Sequence, residues 1–382
     1  MASYRWTILA LGTGAQTAYS AVFLGIPVLA PALQQEYDLT LTQLGLAIAA
    51  ANGGSVFTLL AWGVLADRVG ERAVLATGLA GCAAGLLVAA FAPSFGVLVL
   101  ALTLGGASGA SVNAASGRAV MGWFARDERG FALGIRQTAL PIGGLLAALA
   151  LPPIEAAGGV RAGLVALAAG CLVAAVAGAS GLREAPYEDG ELADIGHPMR
   201  DSRMWRLSIG SGLILAAQIS ILSFLILFLH QERGLSTAAA AGVFALIQAL
   251  GAVLRIVSGR WSDRIHARIA PLRKLALGLT ATLAAAAALL SAPLFVLIPV
   301  FVAAGALSLS WNGLSFTAAA ELAGRARAGA ALGFQQTALA ITSATAPPAF
   351  AAVVEAGSWS LAYGLAAAMP VAGIAVMRQL SI

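Results

Sequence analysis

Two arginines stand inside stretches that are otherwise apolar, Arg136 and Arg255. A guanidinium stays charged at any physiological pH, and its planar fork of N–H groups matches the oxygens of a carboxylate or another oxyanion. Arg255 shares a helical stripe with Gln248, Ala252 and Gly259, spaced i, i+4, i+7 and i+11, so charge and amide would lie on one face. Further polar side chains interrupt the apolar stretches at Gln16, Tyr19, Ser20, Asn113, Gln137, Gln218, Ser308, Asn312 and Gln336. The chemistry these types support is recognition of a small polar or anionic molecule, without bond making or breaking.

Groups needed for catalysis or metal binding are not assembled. His197, His230 and His266 fall in connecting segments, and neither a His-Glu-x-x-His nor a Gly-x-Ser-x-Gly motif occurs. The single lysine, Lys274, follows Arg273 instead of the glycine of a phosphate-binding loop, so no ATP-driven pump is expected. Cys82 and Cys171 lie within apolar stretches and read as small core or lipid-facing residues. We expect no enzyme activity, no metal and no cofactor.

The elements that must hold the arginines are membrane helices. Of 382 residues, 60% are hydrophobic and 10% charged, far from the balance of soluble domains. Apolar stretches long enough to cross a bilayer, about 20 residues each, follow one another near 6–33, 43–65, 73–92, 95–122, 131–152 and 160–182. A second set runs near 205–230, 237–259, 274–292, 294–320, 330–353 and 358–377. The first of these is too long and too polar, with Gln16, Thr17, Tyr19 and Ser20, for a cleaved leader, and reads as a retained helix. No alternating ten-residue pattern suggests a β-barrel. The expected fold is all-helical, with twelve transmembrane helices in two six-helix bundles, 1–182 and 205–382, joined by a charged, Pro-interrupted linker at 183–204.

The formal net charge of +5 is topological and gives no reason to expect a nucleic-acid partner. All but four Lys and Arg fall on one face of the twelve-span arrangement; Arg161 and Arg233 lie opposite, while Arg136 and Arg255 lie within spans. By the positive-inside rule, both termini and the linker are expected on the cytoplasmic side of the inner membrane.

The halves repeat one another. The segment Phe131 to Leu140 (FALGIRQTAL) recurs as Ala330 to Leu339 (AALGFQQTAL), and Ser111, Asn113 and Ser116 recur as Ser310, Asn312 and Ser315. Likewise Gly63 to Arg68 recurs as Gly259 to Arg264, with Asn52 matching Gln248. Such a parallel repeat implies a pseudo-two-fold axis along the membrane normal and a cavity between the halves. Arg136 aligns with Gln335 and Arg255 with Leu59, so neither charge has a twin. A feature kept in both halves can serve the scaffold, as Asn113 and Asn312 suggest, whereas a charge in one half is better explained by an asymmetric ligand.

The segment Gly63-x-Leu65-Ala66-Asp67-Arg68-x-Gly70-Glu71-Arg72 resembles the signature loop between helices 2 and 3 of the major facilitator superfamily, with a weaker copy at Gly259 to Arg264. The resemblance implies a gating role for Asp67, Arg68 and Arg72, and for Asp263 and Arg264 in the copy. Trp123, Phe124, Glu128, Arg129, Gly130, Ala132 and Gly134 are similar to the helix 4 to helix 5 connection of the branches that carry organophosphate, oxalate and monocarboxylate. Arg255 resembles the helix 8 arginine of the oxalate and monocarboxylate carriers. Pro141-Ile-Gly143-Gly144 is a near miss for the helix 5 motif of drug antiporters, which keeps an exporter of drugs or amphiphiles as the alternative.

A central arginine costs about 2.5–3.5 kcal/mol on insertion scales and normally faces the bundle interior. Every Asp and Glu falls in a connection or at a span end, including Glu155 and Glu355, so the buried acid of carboxylate-relayed proton symport is missing. The expectation is a secondary carrier, monomeric in the lipid bilayer, for a small anion, a monocarboxylate first. Arg255 would be its counter-charge; Arg136, Gln137, Gln16, Gln248, Asn113, Asn312 and Gln336 would orient it, and Tyr19 would touch its apolar part. Arg136 lies only roughly 9 Å into its span, so snorkelling to the headgroups is a second reading for that residue.

Overall fold

A computed structural model describes residues 4–124, 128–183, 200–323 and 328–380, and all regular elements among them are helices. In lipid every backbone N–H and C=O must be satisfied within the segment, which a helix does, and the Ala- and Leu-rich stretches favour it. The first crossing combines α1 (Tyr4–Val28) and α2 (Ala30–Tyr37), with Pro31 in the first turn of α2, where its missing N–H costs nothing. The next are α3 (Leu41–Val69), α4 (Glu71–Ala90), and the pair α5 (Phe95–Gly109) and α6 (Ser111–Trp123). A short α7 (Arg129–Gln137) leads into α8 (Ala139–Gly181), whose helical path breaks at Gly158 and at Gly159, with φ of 68°. That break divides one continuous run into two crossings.

The remaining six crossings are α9 (Ser202–Gln231), α10 (Thr237–Arg264), α11 (Ile269–Ala288), the pair α12 (Leu294–Leu309) and α13 (Asn312–Ala323), α14 (Ala328–Ala356) and α15 (Trp359–Val376). Among the described residues ten helical segments are long and apolar enough to span. Residues 132–181 count once among them, and α3 is not included. Dividing 132–181 at its glycines and adding α3 completes the twelve-span fold. Lipid-facing character is visible in large apolar side chains left outside, such as Phe57, 84% exposed, and Phe295, 80% exposed.

By contacts the chain forms two units, Met1–Thr40 with Leu46–Gly190, and Leu41–Gly45 with Glu191–Ile382. Most of the expected linker 183–204 lies outside the described residues. Within unit 1, α1 and α4 pack along α8, and α4 lies against α5 and α6. Close approach is made by glycine: a Cβ on Gly106 would lie 2.0 Å from Ala51 O, and one on Gly85 would lie 2.6 Å from Gly105 Cα. Cys82 and Cys171, 89 residues apart in sequence, are both free and buried, with their sulfurs 4.0 Å from each other. Within unit 2, α15 packs along α9 and α11, α10 along α12, and α14 along α9.

Both units interrupt the same crossing. In unit 1 the α5–α6 crossing breaks at Ala110; in unit 2 the α12–α13 crossing breaks at Ser310 and Trp311. Helix ends leave carbonyls without intrahelical partners, and side chains of the neighbouring crossing reach this region in each unit. Ala107 O accepts from Thr58 Oγ1 at 2.8 Å and Trp62 Nε1 at 2.7 Å. Leu309 O accepts from Arg255 Nε at 3.0 Å, and Ser310 O from Ser258 Oγ at 2.8 Å.

Candidate binding site

In unit 1 the site is built on Arg136. It lies in the last turn of α7, where the helix ends at Thr138 and the partial negative charge of the terminal carbonyls favours a cation. Arg136 is 7% exposed, and its contacts are with neutral groups. Nε donates to Ser116 Oγ at 2.9 Å; Nη2 donates to Gln16 Oε1 at 2.9 Å and, at 3.5 Å, to Asn113 O. Ser116 gives its own hydrogen to Val112 O at 2.5 Å, which orients its lone pairs to the guanidinium. Gly117 lies alongside the guanidinium, where a Cβ would be in ordinary contact with Arg136 Cζ at 3.8 Å.

No described carboxylate pairs with Arg136. The buried acid among the described residues of this unit, Glu71, 1% exposed, binds Arg118 at 2.9 Å, and Glu128 binds Arg5 at 2.6 Å. Arg136 is therefore a buried positive charge solvated by dipoles. Gln16 commits its oxygen to that charge, so what its amide has left to offer is N–H. The cluster presents donors and positive charge, the complement of an oxyanion.

Tyr19 is buried beside Gly109, where even a Cβ would meet its ring at 2.2 Å, and its hydroxyl donates to Gly106 O at 3.2 Å. Gln137 and Asn113 are half-buried on the same two segments as Arg136 and Ser116.

In unit 2 a second polar layer surrounds the α12–α13 break. The buried stripe of α10 carries Phe244, Gln248, Gly251, Arg255, Ser258 and Ser262, so the amide and the charge do share a face. Arg255 is 8% exposed and anchored on Leu309 O. Gln218 on α9 accepts from Trp311 Nε1 at 3.0 Å. Gln335 Nε2 donates to Ser315 Oγ at 2.6 Å, and Ser315 Oγ shares a hydrogen with Ser211 Oγ at 2.6 Å. Asn312, 8% exposed, opens α13, while Gln336 is half-buried on α14.

Gln335 and Ser116 belong to these polar layers although neither is among the residues expected to contact a ligand. The signal was present in the repeat, since Arg136 aligns with Gln335 and Ser116 with Ser315. The two bonds prove equivalent, each running from position 136 or 335 to its own serine.

The segments resembling gates are placed at helix ends. Arg68 and Arg72 are exposed, and the side chain of Asp67 lies outside the described residues. Glu71, in the same segment, is buried. In unit 2, Arg264 is exposed, while Arg268 binds Asp263 at 2.5 Å and Glu321 at 3.0 Å.

The chain matches the model of the Major Facilitator Superfamily over residues 11–347. The chain belongs to that superfamily. An uncharacterised MFS-type transporter of Mycobacterium tuberculosis is 36% identical over 375 residues, covering 97% of this chain and 84% of that protein. A probable sulfoacetate transporter, SauU, of Cupriavidus necator is 28% identical over 383 residues, 91% of this chain and 86% of that protein. Among solved structures, a bacterial homologue of the human lysosomal transporter Spinster superposes with a TM-score of 0.78 at 18% identity, covering 98% of this chain and 95% of that one. This last likeness concerns the fold alone. This Major Facilitator Superfamily chain is thus a multi-pass membrane protein of a transporter family, with one buried arginine in each unit among the described residues.

Proposed function

We propose that this superfamily member is a secondary carrier, and no enzyme, that moves a small organic anion, a monocarboxylate first, by alternating access. We place it in the cytoplasmic membrane as a monomer, both termini inside. The observation that carries the reading is Arg136, a buried guanidinium whose partners among the described residues are Ser116, Gln16 and the Asn113 carbonyl, all neutral. A buried charge without a counter-ion is costly, and a substrate anion supplies what the protein omits. Arg255 is the main counter-charge and Arg136 the orienting one. The naming of a relative for sulfoacetate, itself an organic anion, supports this reading.

Coupling follows from where the acids are. The described Asp and Glu residues stand at helix ends and connections, and a guanidinium does not titrate in the working range. Exchange of one anion for another, or entry of a proton on the substrate itself, fits these residues better than a carboxylate relay.

The test is thermal unfolding of the purified protein and of Arg255→Gln against small carboxylates, inorganic anions and cationic amphiphiles. A ligand at about 100 times its Kd stabilises the native state by about 2.7 kcal/mol. Stabilisation of the wild type, but not the variant, by a carboxylate is the expected result. Stabilisation by cationic amphiphiles alone would overturn the anion reading in favour of an exporter.

A further inference from the structure

Unit 2 contains three amide oxygens for which no donor exists among the described residues: Gln248 Oε1, Asn312 Oδ1 and Gln335 Oε1. Gln248 and Gln335 are 0% exposed and Asn312 is 8% exposed, so solvent does not serve them. Folded interiors leave few polar atoms in this condition, and each such atom needs an explanation.

Two of the three belong to one patch. Asn312 lies one turn before Ser315 on the same face of α13, and Ser315 Oγ takes Gln335 Nε2 at 2.6 Å. With its nitrogen engaged, Gln335 has only its oxygen to present. Asn312 also directly follows the break whose Leu309 carbonyl anchors Arg255. The guanidinium and the two acceptors therefore flank the same interruption of the α12–α13 crossing.

A carboxylate bound by Arg255 brings only acceptor oxygens, which the two amide oxygens repel. The missing component is a hydrogen-bond donor on the ligand. An ammonium would donate, but it would place a second positive charge beside Arg255. A hydroxyl donates without charge.

We infer that Asn312 and Gln335 read a hydroxyl group on the transported anion, so that the preferred substrate class is a hydroxy-carboxylate. This rests on the anion reading above and assigns the specificity within it.

The experiment measures affinities of the full-length protein for lactate, propionate and the O-methyl ether of lactate, in wild type, Asn312→Leu, Gln335→Met and Arg255→Gln. The ether keeps the substituent oxygen and loses only the donor. Sites built to bond a hydroxyl reject analogues that lack it, and lactate should bind at least about tenfold more tightly than either control. In Asn312→Leu and Gln335→Met that preference should fall below about threefold. In Arg255→Gln all three acids should be lost.

Equal binding of the three acids by wild type, with loss of all in Arg255→Gln, would overturn the hydroxyl inference and leave the anion reading standing. A lactate preference that survives in both amide variants would overturn the assignment to Asn312 and Gln335. Failure of all three acids to bind wild type would overturn the hydroxy-carboxylate inference and the placing of a monocarboxylate first. The wild-type series needs no variant to fold, so it decides the hydroxyl question by itself.

Discussion

The two units use one scaffold for different chemistry. In each, a side chain donates to the serine one repeat apart, Arg136 to Ser116 and Gln335 to Ser315, and in each a helix of the same rank reaches in behind it, Gln16 from α1 and Ser211 from α9. Unit 1 fills the position with a charge and donors; unit 2 fills it with an amide whose free end is an acceptor. On the neighbouring crossing the asymmetry is reversed, with Leu59 in unit 1 and Arg255 in unit 2. Serine is common to both units, and the charge is not: it stands at position 136 in unit 1 and at position 255 in unit 2.

The sharpest way to break this comparison is to make unit 1 imitate unit 2. Arg136→Gln keeps a donor for Ser116 and removes a buried charge, so thermal stability should hold or rise. Removing one partner of a buried, hydrogen-bonded charge pair costs about 2–5 kcal/mol, so substrate affinity should fall by roughly a thousandfold. Uptake into proteoliposomes beside an unfolding curve reads both quantities. Near wild-type uptake would mean that Arg136 merely snorkels and that the asymmetry between the units is idle.

A second contrast lies at the repeat-equivalent glycines Gly106 and Gly305. A Cβ on Gly106 would meet the Ala51 carbonyl at 2.0 Å, whereas on Gly305 it would meet the Ile247 side chain at 2.6 Å. Backbone cannot move aside without shifting a helix, and an isoleucine can change rotamer. Overpacking costs typically 1–3 kcal/mol, so Gly106→Ala should lose about 3 kcal/mol and Gly305→Ala about 1 kcal/mol in chemical unfolding. Equal losses would show that α3 and α5 need no closer approach than α10 and α12.

Much of this was legible in the sequence, for reasons specific to membrane chains. Apolar length identifies the crossings because lipid requires it, and an arginine within such a length is conspicuous because it is costly. The repeat then brought Ser116, Asn113 and Arg136 into one frame with Ser315, Asn312 and Gln335.

What escaped was set by direction and not by period. Gln335 and Gln336 are adjacent, so no pattern of amides distinguishes them. Only the rotation of α14 places Gln335 inside and Gln336 half-buried. Similarly, spacing along the chain does not show that Glu71, just after the turn at Gly70 with its φ of 83°, is buried against Arg118. The contact between Cys82 and Cys171 depends on the packing of α4 on α8, which spacing along the chain does not encode. The breaks at Ala110 and Ser310 were hidden within apolar runs for the same reason: neither carries a proline or a charge.

Unit 2 also contains a cluster of rings. Unit 2 packs Phe228, Phe301, Phe350 and Trp359 around Tyr363, with ring centroids 5.1 to 6.2 Å from its own. The Tyr363 hydroxyl is buried with no hydrogen-bond partner among the described residues. Leaving such a group unmade costs about 1–3 kcal/mol, so Tyr363→Phe should stabilise the protein by about 1 kcal/mol without changing substrate affinity. A loss of stability would mean that the hydroxyl is served in solution and that the ring cluster is not purely apolar.

The smallest effect concerns how the second bundle begins. Asp201 caps α9 by accepting from Arg203 N at 2.8 Å, and its carboxylate is paired with Arg203 Nη2 at 2.9 Å. The hydrogen bond from Arg203 holds the Asp201 carboxyl below the ordinary carboxylate value, against the opposing pull of partial burial. A depressed folded value means that the contribution is present above the unfolded pKa, about 3.9, and is lost as pH falls through the folded one. Asp201→Ala should cost about 0.5–1 kcal/mol at neutral pH, the range of an exposed N-cap, and less at high salt. Asp201→Asn keeps the cap acceptor and should recover most of that stability while removing its loss on acidification. If the alanine and asparagine variants lose the same amount, the charge pairing with Arg203 outweighs the cap, and α9 starts where electrostatics, rather than backbone satisfaction, places it.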